Sequence, residues 1–294
     1  MSAHKFILGT NLVSSAKISN FLQGQGNRGI TRPAIGREQI IPQIDPGEMG
    51  SAFHRADAET CPPPAGCGKW QFLHWKKGVQ VTLIVNEIFY SIQGESTYSG
   101  RPCTFIRLTG CNLRCSYCDT QYAYEEGEEM KISQIMNRIS TFNCALVEVT
   151  GGEPLLQKET PLLISKLLEN KYIVMMETNG SLDISRVDER CIKIVDIKCP
   201  SSSESEKNDL ENLKKLHPKD QIKFVVGNRE DYMYAKNIIT LHCPEFLGDH
   251  ILFSPAFGIM SPADLADWIL EDNLNVRLHL QLHTIIWPNR KRGI

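Results

Sequence analysis

The sequence predicts an α/β fold: a partial (βα)6-type TIM barrel, with a curved parallel sheet and helices outside it. Three observations carry this. Short apolar runs of strand length alternate with amphipathic stretches of about ten residues, as βα units require. Polar or glycine-bearing groups follow the apolar runs repeatedly, at 109–120, 150–154, 177–180 and 198–203. The pattern starts near residue 82 of 294, which leaves room for about six units and not comfortably for the eight of a full barrel.

Taken in order, TLIVNEIFYSI (82–92) reads as a strand entering a loop, and TFIRLTG (104–110) as a strand ending in glycine. MKISQIMNRI (130–139) has helical spacing. ALVEVTGG (145–152) is a strand that breaks at paired glycines, and PLLISKLLEN (161–170) is a helix. YIVMMETNG (172–180) and CIKIVDIKCP (191–200) are further strands. Residues 204–216 look helical and polar on one side. QIKFVVG (221–227) is a strand, with a helix over 230–240, and HILFSPA (250–256) is another strand. The helix over 261–270 opens at Ser261, a cap residue, with Pro262 in its first turn. VRLHLQLHTII (276–286) closes the pattern and fits either strand or helix. In α/β folds the site forms where the strands end, so the polar groups converge although they are far apart in sequence.

Composition narrows the function. Apolar residues make up 41% and charged residues 22%, and the formal net charge is −2. No global basic field points to nucleic acid. No apolar run reaches the length of about 18 residues needed to span a membrane, and the first residues lack a signal-peptide pattern, so a cytoplasmic location is expected. Residues 1–80 differ from the rest: they hold 10 of the 21 glycines and 9 basic against 5 acidic residues. Stretches such as QGQGNRGITRPAIGR (23–37) and CPPPAGCG (61–68) have no strand or helix period. Residues 1–80 are expected to be an N-terminal extension, unstructured or an artefact of start assignment, and 81–294 the catalytic domain. A metal knuckle on Cys61 and Cys67 is the alternative reading, against which the gap is long and no second ligand pair is near.

The ten cysteines are too sparse for a disulfide scaffold. Cys103, Cys144, Cys191, Cys199 and Cys243 sit among apolar residues, as buried free thiols do. Cys111, Cys115 and Cys118 are different. CNLRCSYCD has C-x3-C-x2-C spacing, begins just after a strand and runs through polar residues. Thiolates are strong ligands for iron, and three of them hold three irons of a [4Fe–4S] cluster while the fourth keeps an open position. Zinc would need a fourth ligand that the loop does not supply. Three unrelated buried cysteines would not be placed in a polar loop. The spacing, with an aromatic before the last cysteine, resembles the signature of the radical S-adenosylmethionine superfamily. Members bind the cofactor at the open iron and cleave it to a 5′-deoxyadenosyl radical that abstracts hydrogen.

A narrower resemblance follows from NEIFYSIQGES (86–96), GRPCTFIRLTGCNLRCSYCDTQYA (100–123), TGGEP (150–154), ETNG (177–180) and QLHTIIWPNRKRG (281–293). Together these are similar to the 7-carboxy-7-deazaguanine synthases of queuosine and 7-deazapurine biosynthesis. The resemblance implies a radical carbon–nitrogen lyase. It would contract 6-carboxy-5,6,7,8-tetrahydropterin to 7-carboxy-7-deazaguanine, releasing ammonia and regenerating S-adenosylmethionine each turnover. It implies a [4Fe–4S] cluster on Cys111, Cys115 and Cys118, and Mg²⁺ on Thr120. It implies substrate contacts from Ile92, Gln93, Gly94, Arg107 and Thr150, and cofactor contacts from Tyr117, Cys118, Asp119 and Gly152. Lys198 and Ser201, after a later strand, are assigned to the cofactor as well, with Glu153 and the ETNG turn as further cofactor wall. A flavodoxin-like or ferredoxin-like electron donor and a homodimer are implied, with no nucleic-acid or membrane partner.

Some of these assignments have chemical support in the residues. Gln93 offers both a donor and an acceptor to a pterin edge, Gly94 permits close backbone approach, and the Arg107 guanidinium suits a carboxylated ring. Thr120 as a metal ligand rests on the family alone. His279 and His283 lack the acidic partner of a metal-protease helix, and packing or supporting roles are favoured for them. The Trp287 and Ile294 end resembles a segment that closes over the substrate in the family. Ser96 stands where the family often has glycine, and serine is less permissive at positive φ. Competing readings are another radical S-adenosylmethionine reaction such as glycyl-radical activation, and a non-catalytic iron–sulfur electron carrier. The SIQGE segment and the tail oppose the first. Three ligands instead of four oppose the second.

Overall fold

A computed structural model describes residues 81–243 and 245–294. The expectations for residues 1–80, with Cys61 and Cys67, lie outside the described residues. Nine strands form one open sheet: β1 (Thr82–Ile92), β2 (Pro102–Leu108), β3 (Glu128–Lys131), β4 (Leu146–Gly151), β5 (Ile173–Thr178), β6 (Ile192–Ile197), β7 (Gln221–Val226), β8 (Ile251–Pro255) and β9 (Arg277–Leu278). Their order is β3-β1-β2-β4-β5-β6-β7-β8-β9. From β2 through β9 every neighbouring pair is parallel. β1 is antiparallel to both β2 and β3. The sheet is thus a partial barrel with an antiparallel margin, and β3 is a strand that the alternation in sequence does not reveal. Its EEMK residues are mostly exposed, so it has no apolar period to read.

Five helices pack outside: α1 (Ile132–Ser140), α2 (Thr160–Glu169), α3 (Arg229–His242), α4 (Pro262–Glu271) and the short α5 (Leu282–Ile286). Each of the first four turns one stripe inward, for example Ile135 and Ile139 of α1, or Leu163, Ile164 and Leu167 of α2. Residues four apart share a helix face. Asn228 caps α3 by accepting from the Asp231 N–H at 2.9 Å. Ser261 occupies the N-cap position of α4 without a side-chain bond, and Pro262 begins the helix. Among the described residues no helix is long and apolar enough to cross a membrane.

The segment 204–216 is not an α-helix. It forms 3₁₀ turns at Ser205–Lys207 and Leu210–Lys215. The cause lies in its asparagines. Asn208 exchanges two hydrogen bonds with the Lys198 backbone, at 2.9 and 2.8 Å. Asn212 donates to the Gly180 and Leu182 carbonyls and accepts from the Ile184 N–H. Side chains that bond distant backbone compete with helix continuation. The closing segment resolves its ambiguity by being both: two residues of strand, then one turn of helix.

Two cores result. The large one lies between sheet and helices and includes Ile106, Val149, Leu163, Ile197, Phe224 and Phe253. The small one lies on the concave face at the strand starts: Cys103, Phe105, Leu146, Met175, Ile192 and Ile194. Since side chains alternate along a strand, residues two further on from Phe105, Met175 and Ile194 share that face. These are Arg107, Glu177 and Asp196, so the concave face changes from apolar floor to charged rim.

Candidate active site

A cavity of about 780 Å³ opens above the apolar floor at the ends of the parallel strands. Cys111, Cys115 and Cys118 all line it, and all three are free thiols. The loop that carries them is pinned at several points. Ser116 donates through N–H to the Ser202 carbonyl at 3.0 Å and through its hydroxyl to the Ser201 carbonyl at 2.6 Å. The Arg114 N–H meets Glu204 at 2.6 Å. Gly152 fixes the loop from the other side: a Cβ there would lie 2.3 Å from the Gly110 oxygen and 2.6 Å from the Cys111 Cβ. The paired glycines thus serve close packing of the β4 turn on the cysteine loop. Gly151, at φ +155°, has the same constraint against Leu108.

The thiols suit an iron–sulfur cluster. The contacts of Cys111 Sγ are donors, the Leu113 N–H at 3.4 Å and Asn179 Nδ2 at 3.9 Å, the polarity that a thiolate needs. Burial raises the Cys111 thiol and pushes Cys115 up to about 11, both against the pull of Lys198, so ligation would be what holds them ionised. Among the described residues no three His, Cys, Asp or Glu are grouped to hold a metal ion. A cluster takes one thiolate per iron. The other described cysteines do not line the cavity, so no fourth thiol competes for the remaining iron. Two buried polar atoms beside the thiols lack partners, the Tyr117 hydroxyl and Asp196 Oδ1, and both residues line the cavity. A polar cofactor would satisfy them.

Arg107 lies on β2 opposite Thr150 of β4, and both line the cavity. Glu87 takes only the Nε of Arg107, at 2.8 Å, and also accepts from the Tyr122 hydroxyl at 3.0 Å. The guanidinium lies over the Phe89 and Tyr122 rings, 5.6 and 5.8 Å from their centroids. It is oriented from behind while its two Nη groups have no partner among the described residues, the arrangement of a carboxylate clamp. Thr120 donates to Asp119 Oδ1 at 2.7 Å, and both residues line the cavity with Gly94, Gly152 and Lys198.

Other assignments come out differently. Ile92 ends β1 opposite Pro102 and does not line the cavity. Nor does Ser201, whose N–H and hydroxyl both go to Asp231. Glu153 is wholly buried and faces no cavity. It accepts from the Leu155 and Asn179 N–H groups and the Thr178 hydroxyl, at 2.8–3.0 Å, so it joins two turns and is not cofactor wall. Gln93 is 2% exposed. Its Nε2 donates to Glu148 at 2.5 Å and its Oε1 accepts the Glu95 N–H at 3.0 Å. Gly94 is approached by the chain itself, because a Cβ there would meet His283 Nδ1 at 2.2 Å.

His283, Trp287 and Ile294 line the mouth, and Arg292 pairs with Glu126 at 2.6 Å. His279 is buried away from the lining, its Nδ1 3.0 Å from the Ser254 hydroxyl. Ser96 does take a left-handed φ of 64°.

Sequence reasoning named Lys198 and the ETNG turn that holds Glu177, but left out the rest of the charged rim, Glu148, Asp196 and Lys223. Lys223 of β7 is buried and bridges Glu95, Glu177 at 2.8 Å and Asp196 at 3.8 Å, and Lys198 meets Asp196 at 2.9 Å. Burial alone would raise Glu95, but Lys223, His283 and His279 hold its carboxyl well below the usual range. Burial raises Glu177 against the pull of Lys223. The signal was there: Glu148, Glu177, Asp196 and Lys223 are charges inside otherwise apolar strands, and such charges need partners or a function.

A family profile described as the radical SAM superfamily matches residues 105–229. The 7-carboxy-7-deazaguanine synthase of Chlorobaculum tepidum is 47% identical over 219 residues, 73% of this chain and 99% of that protein. The synthase of Koribacter versatilis is 42% identical over 224 residues, 71% and 99% of the two chains. The crystal structure of QueE from Escherichia coli is 21% identical, covers 69% of this chain and 95% of that one, and superposes with a TM-score of 0.53, in line with the partial barrel. With the thiols, the rim and the clamp on one cavity, the conclusion is that this chain belongs to the 7-carboxy-7-deazaguanine synthase family of radical S-adenosylmethionine enzymes.

Proposed function

We propose that the chain contracts the reduced ring of 6-carboxy-5,6,7,8-tetrahydropterin to give 7-carboxy-7-deazaguanine and ammonia, as a radical carbon–nitrogen lyase of queuosine biosynthesis. The observation that carries this reading is that the three thiols and the oriented Arg107 open on one cavity. Cys111, Cys115 and Cys118 hold a [4Fe–4S] cluster, with S-adenosylmethionine against Tyr117, Asp119, Gly152 and Lys198. When bound, the two supply the hydrogen-abstracting radical. Arg107 and Thr150 orient the substrate carboxylate side, and the Gln93–Gly94–Glu95 loop orients the ring. Thr120 supplies an oxygen to Mg²⁺, a weak ligand that waters and substrate oxygens complete. The Thr120 hydroxyl and the Asp119 carboxylate, hydrogen-bonded to each other at 2.7 Å on the cavity wall, support that assignment. Ile92 and Ser201 act from behind the lining, through the loops they anchor. The C-terminal segment with His283 and Ile294 covers the mouth and limits water access. An external one-electron donor and pairing of two chains complete the reading.

The test is direct. Anaerobically reconstituted and reduced protein is mixed with the pterin, S-adenosylmethionine and Mg²⁺. The expected result is 7-carboxy-7-deazaguanine by mass spectrometry, and ammonia in equal amount. A preparation that cleaves S-adenosylmethionine yet forms neither would overturn the reading.

A further inference from the structure

Glu148 stands apart from the other charged groups of the rim. It lies in the middle of β4, 4% exposed, and lines the cavity. Its strand neighbours are apolar, Phe105 on one side and Met175 on the other. Glu95, Glu177 and Asp196 all share Lys223, but no cation bridges Glu148 among the described residues. Its one side-chain partner is the amide of Gln93, which donates to Oε2. Oε1 has no hydrogen-bond partner among the described residues, and the residue lines the cavity. Burial without a paired cation favours the neutral form of a carboxyl, so Glu148, which no cation bridges among the described residues, is the wall carboxyl best placed to carry a proton.

The reaction needs such a proton. An amine leaves as ammonia only when its nitrogen takes one. We infer, on the basis of the reaction proposed above, that Glu148 is the acid that protonates the departing amine. The C–N bond breaks with its electron pair going to nitrogen, and the Glu148 proton completes ammonia. A proton on the adjacent ring carbon passes to Glu177, the carboxylate that Lys223 holds on the next strand, and the C–H electron pair becomes the ring double bond. A proton returning from Glu177 to Glu148 resets the wall. Nothing is oxidised or reduced in this step.

The groups that face Glu148 act in the same sense. Burial first, then Glu177 on β5 and Glu95 after β1, push its carboxyl up to about 8, opposed by the Gln93 amide and by Lys223 on β7. The Cys103 thiol on β2 faces it too and stays protonated, because burial and Glu148 both raise it. An acid works in its protonated form, so product formation should fall as pH rises through about 8.

The experiment separates the radical steps from ammonia release. Full-length holoenzyme and its Glu148→Gln variant are given substrate deuterated on its reduced ring carbons. Deuterium entering S-adenosylmethionine reports hydrogen abstraction, and ammonia reports elimination. In the variant, ammonia should drop about a hundredfold, in the range of a lost general acid, with deuterium transfer in the first turnover unchanged. In the wild type, only ammonia release should decline above about pH 8. Infrared spectra of the metal-free protein should show a protonated carboxyl band that titrates there and is missing in the variant. Unchanged ammonia release in the variant, or an equal loss of deuterium transfer, would overturn the inference. Should the variant not fold, a wild-type ammonia rate flat across that pH range would overturn it equally. A wild type that makes no product defeats the proposed reaction itself, which is a different outcome.

Discussion

Two glutamates flank the end of β4, and both are buried. Glu153, in the turn, receives donors on both carboxylate oxygens. Glu148, in the strand, receives one amide on one oxygen and lines the cavity. Burial raises both carboxyls, but only at Glu153 do several donors work against it. One carboxylate is a structural joint between two turns. The other is a carboxyl held ready in an apolar collar. Burial alone therefore does not mark function; the count of satisfied oxygens does.

The comparison is broken or sharpened by stability first. Glu153→Ala leaves two backbone N–H groups and a hydroxyl buried without acceptors. Unfolding of the metal-free variant should show a loss of about 4 kcal/mol. Glu148→Gln keeps the volume and should stay within about 1 kcal/mol of wild type near pH 6. The sign of its pH dependence is fixed. The folded carboxyl titrates at about 8 against an ordinary value of 4.5, so its contribution is full below 4.5 and is lost as pH rises through 8. The variant should therefore gain on wild type across that window. Equal losses for the two substitutions would erase the distinction between joint and acid.

Gly152 gives the next effect. Its Cβ position is blocked by the Gly110 carbonyl and the Cys111 Cβ, which are backbone or tied to it and cannot swing aside. Gly152→Ala should cost about 1–3 kcal/mol through overpacking, and the strain should fall on the cysteine loop. Iron content after reconstitution should drop, while circular dichroism stays native. Full iron loading in the variant would show that the β4 turn does not set the loop.

The sequence was readable where period or spacing carried the information. The parallel strands β4 to β8 are mostly apolar runs buried along nearly their whole length, and the cysteine loop announced itself by spacing. It was unreadable where tertiary contacts decide. β3 has no apolar face, and Asn208 and Asn212 turn a helical pattern into 3₁₀ turns by bonding backbone far away. The site divides the same way. Arg107, Thr150, Asp119 and the thiols, which motifs single out, all line the cavity. Glu153 was misplaced because its motif position says nothing about how many donors reach it. Glu148 and Lys223 were missed because a lone charge in a strand reads as noise until its face is known.

Ser96 offers the smallest and most exacting check. It holds a left-handed φ of 64°, a conformation that costs a non-glycine residue about 1 kcal/mol. Its buried hydroxyl accepts the Tyr98 N–H at 3.1 Å, which is worth about 1 kcal/mol in return. Ser96→Gly removes the strain and the bond together, so its stability should match wild type within about 0.5 kcal/mol. Ser96→Ala keeps the strain and loses the bond, and should be destabilised by about 1–2 kcal/mol. Denaturant midpoints of the two variants should therefore differ even though both remove the same hydroxyl. If the alanine variant is the more stable, the hydroxyl is not what permits serine in this loop. The loop leads from Gln93 and Glu95 to the cavity, so a shift there would also appear as a weaker hold of Gln93 on Glu148.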